Sequence, residues 1–318
     1  MLGCVCAAFW FSSAFTGAVL APNARYGPST PTHSRISPAD ALDAANDVAD
    51  GTPAMLAFPY AGNPNYVITI RKHGVQRIEV SPQTGEAKMQ RGRDLLAWIT
   101  EIHQALALGV FGKTILAFAG ICLFIAATTG LTIWSSRLMR HRRYDAHTIL
   151  GIVAAIPLLI TSACGTTLAL HGVLSGSHAA QSHGRGHAGA EPPDVDVHRA
   201  VNVAENAVPR EHVSQIVFPM GEHAPLVVRM LPGTVRDPRF QTDVLLDPRT
   251  LALRSIVTPN SRPLADRAYA FMYALHIGIV GGVLTRTLVF ITALLLMALA
   301  LTGLAKARPR ILALLRKR

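Results

Sequence analysis

Histidine is the residue type whose placement in this chain most invites chemistry, with 13 in 318 residues. Two of them recur in matching surroundings, HQALALGVFGKT from His103 and HIGIVGGVLTRT from His276. A gapless alignment pairs His103 with His276, Gly109 with Gly282, Lys113 with Arg286, Thr114 with Thr287, Thr129 with Thr302 and Gly130 with Gly303. Pairs that include a histidine and a cation go beyond generic apolarity and mark an internal repeat. A second pattern joins HTILG, His147–Gly151, to the start of the chain: Gly165 follows Gly151 by fourteen residues, as Gly17 follows Gly3. Matching Gly3 to Gly151 places the counterpart of His147 two residues ahead of Met1, so a histidine is expected in an upstream extension. Imidazole is a standard axial ligand of haem iron. Histidines at repeat-related positions therefore suit bis-histidine haem sites. A single histidine at a helix end is better explained as a hydrogen-bonding cap; the repetition is what favours ligation. The nearby glycines Gly109, Gly112, Gly151, Gly278, Gly281 and Gly282 are expected to let a flat macrocycle approach the backbone.

The elements that must position these histidines are membrane spans. The chain is 50% hydrophobic and only 15% charged, with mean hydropathy +0.32. An ordinary soluble domain carries about 25% charged residues, and disorder requires low hydrophobicity. Four windows reach the roughly 20 apolar residues a bilayer demands: Leu2–Ala21, Thr114–Trp134, Thr148–Leu174 and Val283–Leu304. The net charge of +11 is local. Arg137, Arg140, Arg142 and Arg143 lie between the second and third windows, and Lys306, Arg308, Arg310, Arg316, Lys317 and Arg318 follow the fourth. Asp145 is the one acid among them. Short basic segments beside spans are cytoplasmic, so both termini are expected inside and no nucleic-acid partner follows from the charge. His103 and His276 then fall at the outer ends of their spans and His147 at an inner end, as a haem at each side of the membrane would require. His171, at an outer end, has no repeat partner and reads as a spare ligand or a helix-end residue. The four cysteines fall in the spans with no metal or disulfide spacing.

Two outer segments share an outline. Ser37-Pro-Ala-Asp opens an amphipathic helix, followed by strands at Tyr66–Arg71 and Arg77–Val80 and the turn Ser81-Pro-Gln-Thr-Gly-Glu. The second segment has a helix at Val197–Ala207, strands at Val213–Phe218, Leu226–Met230 and Asp243–Asp247, and the turn Asp247-Pro-Arg-Thr. The fold class expected is a membrane protein of four transmembrane α-helices with two extracytoplasmic α+β modules. Its divisions are a first span (1–22), module one (23–102), a second span with an interfacial lead-in (103–136), a basic loop (137–146), a third span (147–174), a linker (175–193), module two (194–270), a fourth span (271–305) and a basic tail (306–318). The Gly/Ser/His-rich linker carries His178, His183 and His187. They could gather a metal loosely, but a flexible linker explains them better, since no carboxylate or cysteine completes a site.

These features together resemble the PepSY-associated transmembrane family, whose outer modules are PepSY domains and whose members include iron-regulated membrane proteins and ferric-siderophore reductases. The resemblance rests on HTILG at His147, HQALALGVFGK at His103, LHIGIVGG at Leu275, the Thr-Gly pairs at 16–17, 129–130 and 302–303, and the TGE and DPRT turns. It implies two haems b, with His103 and His276 ligating the outer iron and His147 the inner one, whose second ligand is cut away where the motif shortens to MLG. It further implies an inner-membrane protein passing electrons outward to a ferric chelate or siderophore, with a quinol or a cytoplasmic flavoprotein as donor. The alternative is a non-enzymatic scaffold or regulator whose PepSY modules bind a periplasmic peptide, protease or partner protein. A transporter ranks third, because no span holds an intramembrane carboxylate.

Overall fold

The computed structural model describes residues 2–23, 34–60, 63–71, 75–90, 95–138, 145–183, 195–221, 224–232 and 237–315. In chain order the elements are α1 (Leu2–Asn23), α2 (Pro38–Val48), β1 (Thr52–Ala57), β2 (Tyr66–Arg71), β3 (Val75–Val80), β4 (Ala87–Met89), α3 (Leu95–Ala105), α4 (Gly109–Leu138), α5 (Ala146–His183), α6 (Val197–Ala207), β5 (Glu211–Val217), β6 (Leu226–Pro232), β7 (Thr242–Leu246), β8 (Leu253–Val257), α7 (Leu264–His276) and α8 (Gly282–Leu315). They divide into a helical unit and a sheet unit, each built from segments far apart in sequence.

In the sheet unit, a helix followed by four strands occurs twice. Ser37 caps α2 through a reciprocal pair with Asp40, and the Asp196 side chain accepts from the Arg199 amide at the start of α6, which satisfies orphan first-turn donors. The two sets of strands do not form separate modules. They join through β1 and β5 into one antiparallel sheet of order β4-β3-β2-β1-β5-β6-β7-β8, with Leu56 opposite Ile216 at the seam. One core serves both halves: Ala41, Ala45, Ala200 and Ala204 of the helices meet Ile68, Ile70, Ile78, Ile216, Val228, Met230 and Leu246 of the strands. Small residues on the helices bring them close to branched side chains on the sheet. The turn after β7 is tied by the Asp247 carboxylate, which accepts from the amides of Arg249 and Thr250.

In the helical unit, three helices are long and apolar enough to cross a membrane: Gly109–Ser136, Ala146–Leu174 and Gly282–Pro309. Their large apolar side chains point outward, as at Phe118, Ile125, Ile156 and Leu288, the arrangement suited to lipid. The apolar α1 packs along α8, and small residues of both helices are buried, among them Ala14, Ala18 and Ala300. The Trp10 indole also donates to the Ala119 carbonyl of α4 at 2.8 Å.

Three expected boundaries differ. The lead-in and second span are not one helix, because the backbone turns left-handed at Leu106, Ala107 and Gly109 (φ 50, 58 and 57°) and separates α3 from α4. The fourth span is divided likewise, with Gly278 and Gly282 at φ 75 and 63° between α7 and α8. The helix expected to end at 174 continues to His183, so the stretch read as a linker falls partly on α5.

Candidate functional site

The left-handed corners fix where the histidines stand. His103 lies in the last turn of α3 and His276 ends α7, so each imidazole is carried by a short helix just before the chain reverses into a span. The two rings come together with centroids 6.1 Å apart and planes inclined at 37°. His147 stands elsewhere, in the first turn of α5. His171 is exposed on the same helix. His178 and His183 fall in its terminal part, and His187 lies outside the described residues.

Each of the three ligand candidates is seated over a glycine of a neighbouring helix. A Cβ on Gly17 of α1 would come 3.2 Å from His103 Cε1, one on Gly165 of α5 would come 3.1 Å from His276 Cε1, and one on Gly303 of α8 would come 3.4 Å from His147 Cε1. These close approaches were not read from the sequence, although Thr16–Gly17 and Thr302–Gly303 stood out there as pairs. The glycines expected to admit a macrocycle have other neighbours. A Cβ on Gly112 would fall on the Ala105 carbonyl, one on Gly278 would lie 2.8 Å from Arg286 Cα, and one on Gly281 would lie 2.7 Å from Thr285 Cγ2. These glycines make the corners possible. Gly109 and Gly282 have open space but left-handed backbone, and Gly151 makes ordinary contact with Leu299 at 3.8 Å.

The hydrogen bonds assign the tautomers. The Thr16 hydroxyl donates to its own helix, at 2.8 Å from the Ser12 carbonyl and 3.1 Å from that of Ser13. Its oxygen then accepts from His103 Nδ1 at 2.9 Å, and the Ser13 carbonyl accepts from the same nitrogen at 3.1 Å. Both neighbours of Nδ1 are acceptors, so Nδ1 carries the proton and the Nε2 lone pair is bare. His147 repeats the device. The Thr302 hydroxyl lies 2.7 Å from the Ala298 carbonyl and 2.8 Å from His147 Nδ1, without the carbonyl that settles the tautomer of His103. His276 differs: the Thr161 carbonyl faces its ring, but no group meets hydrogen-bond geometry with its buried Nδ1.

Two imidazoles on one iron set a distance. About 2.0 Å from metal to nitrogen and about 1.1 Å from nitrogen to ring centre, counted on both sides, put the centroids about 6.2 Å apart. The observed 6.1 Å meets that span, so the spacing of His103 and His276 would suit two ligands of one iron. Among the described residues no three His, Cys, Asp or Glu gather as a metal cluster; a bis-imidazole site needs only two. Cys6, Cys122 and Cys164 are free.

The helical unit, with its apolar outer surface, and the duplicated helix-and-strand unit together define a membrane protein carrying a folded sheet domain. The family model described as the PepSY-associated TM region matches residues 1–306, and the chain belongs to that family. No curated protein matches the chain.

Proposed function

We propose that this chain is a haem-binding electron-transfer protein of the bacterial inner membrane that reduces ferric chelates, siderophores among them, on the periplasmic side. The observation that carries the reading is the imidazole pair at 6.1 Å, one member of which presents a bare Nε2 because both groups at its Nδ1 accept. When bound, haem supplies one-electron chemistry, and the protein supplies ligands, orientation and insulation. His103 and His276 would hold the outer group, Gly17 and Gly165 leave room for their rings, and the apolar helices would exclude water. His147, set by Thr302, presents the same nitrogen for an inner haem. Reduction of a chelated ferric ion weakens its bonds to hard oxygen donors and frees the metal.

The topology supports the same reading. The 22 residues of α1 carry no charge and reach about 33 Å at 1.5 Å per residue, enough to span. Asp145 before α5 pairs with Lys306 of α8 at 2.5 Å, so the start of α5 and that turn of α8 meet at one face of the bundle, next to the basic stretches of the sequence. By the positive-inside bias that face is cytoplasmic.

The test is a reduced-minus-oxidised absorbance spectrum of the detergent-purified protein. A bis-histidine b-type signature is expected. His103→Ala and His276→Ala each abolish the signature of one and the same haem, and His147→Ala spares it. A wild-type protein without that spectrum overturns the proposal.

A further inference from the structure

The two imidazoles of the pair are not held alike, and the internal repeat shows why. The register that matches Gly17 with Gly165 also matches Thr16 with Cys164 and Ser13 with Thr161. In the first half, a hydroxyl and a carbonyl both accept from His103 Nδ1. In the second half a thiol replaces the hydroxyl, and the Thr161 carbonyl, the counterpart of Ser13's, is the partner left at the His276 ring, outside hydrogen-bond geometry for the buried Nδ1. Both rings still lie over the glycine that follows, at 3.2 and 3.1 Å from its Cβ position. The seat is the same and the hydroxyl acceptor is missing. A hydrogen bond at the far ring nitrogen fixes an imidazole's tautomer and orientation and raises its basicity as a ligand.

We propose that Thr16 is a positioning residue that makes His103 the permanent ligand of the pair, and that Cys164 leaves His276 as the exchangeable one, whose release opens a coordination position to a small external ligand. This rests on the haem reading above. It predicts behaviour that a symmetric pair would not show.

The experiment uses the full-length protein in detergent with four variants and two readouts. The first readout is carbon monoxide binding to the reduced protein, which requires one imidazole to leave. Cys164→Thr, which supplies the missing hydroxyl, is expected to slow this binding by about 10-fold or more, the scale on which outer partners act. His276→Ala is expected to bind carbon monoxide at once on a haem retained by His103, whereas His103→Ala loses the haem. Thr16→Val is expected to raise the rate of haem loss to an apo-globin scavenger by about 10–100-fold, and Thr16→Ser to restore it. The second readout needs no haem: nitrogen-15 shifts of the His103 ring in the haem-free protein. Wild type and Thr16→Ser should show a protonated Nδ1, and Thr16→Val should populate the other tautomer. An unchanged tautomer in Thr16→Val, or equal carbon monoxide rates in wild type and Cys164→Thr, overturns this inference while leaving the haem reading intact. Wild-type protein without haem overturns the exchangeable-ligand claim together with that reading, and the tautomer measurement still decides the role of Thr16.

Discussion

Replacing Gly165 with alanine tests the seating of the histidine pair most directly. The new methyl would lie 3.1 Å from His276 Cε1, whereas carbon atoms pack at about 3.5–4.0 Å. The ring must retreat by about 0.4–0.9 Å to restore contact distance. Metal–ligand distances hold to about 0.2 Å, so that retreat exceeds what the pair can absorb. Overpacking of this kind costs about 1–3 kcal/mol, and alanine returns up to about 1 kcal/mol of helix propensity. The net expectation is about 0–2 kcal/mol of destabilisation with a perturbed bis-imidazole spectrum. Gly17→Ala, at 3.2 Å from His103 Cε1, should behave similarly, and Gly303→Ala, at 3.4 Å from His147 Cε1, should be milder. Gly130 is the control: nothing lies within 4 Å of its Cβ position, so Gly130→Ala gains the propensity term alone. Thermal unfolding in detergent and the reduced-minus-oxidised spectrum read both effects. If Gly165→Ala matches Gly130→Ala in stability and leaves the spectrum unchanged, the His276 imidazole does not sit against Gly165.

Gly278→Ala should destabilise by about 2–5 kcal/mol, adding left-handed backbone strain to overpacking, since φ is 75° and the new Cβ meets Arg286 Cα at 2.8 Å; thermal unfolding checks it. Asp145 donates nothing and accepts from Lys306 and the Thr148 amide, which together hold its carboxyl down to about 2 from its ordinary 3.8. The stabilisation is therefore present above the unfolded-state value and lost as pH falls from about 4 toward 2. It is small because both side chains are about half exposed, and Asp145→Asn should flatten that part of the profile of unfolding temperature against pH. Ile68→Ala and Ile216→Ala, both fully buried but in different halves of the sheet, should each cost about 2–5 kcal/mol. Because the halves share one core, each should lower hydrogen-exchange protection in both; protection lost only in the substituted half would refute the single core.

Local pattern made some elements legible and left others hidden. Tyr66–Arg71, a run rich in β-formers, is a strand with the bounds read from the sequence, and Val197–Ala207 is a helix with the expected bounds. In β1, the opening Thr-Pro and small residues of TPAMLA give little alternation to read, and β8 is short and mostly exposed. The seam between β1 and β5 pairs residues about 160 positions apart through main-chain groups, and no side-chain pattern announces such a bond. At the site, repetition exposed His103 and His276. The corner after His103 was invisible because Leu106 and Ala107 are ordinary helix formers held left-handed by the fold.

The partners of the histidines follow a rule that local pattern does not express. A threonine inside an apolar helix satisfies its hydroxyl on the carbonyl one turn back, as Thr16, Thr129 and Thr302 do. That bond uses the proton and leaves the oxygen able only to accept. A glycine immediately after removes the Cβ that would keep a ring away. The Thr-Gly pair is thus a compact device for receiving an imidazole by its Nδ1–H and turning its Nε2 outward. Thr16–Gly17 and Thr302–Gly303 each receive one. His276 is seated by Cys164–Gly165, which keeps the space and gives up the acceptor. One substitution in an otherwise repeated device therefore separates two ligands that the repeat alone would make equivalent.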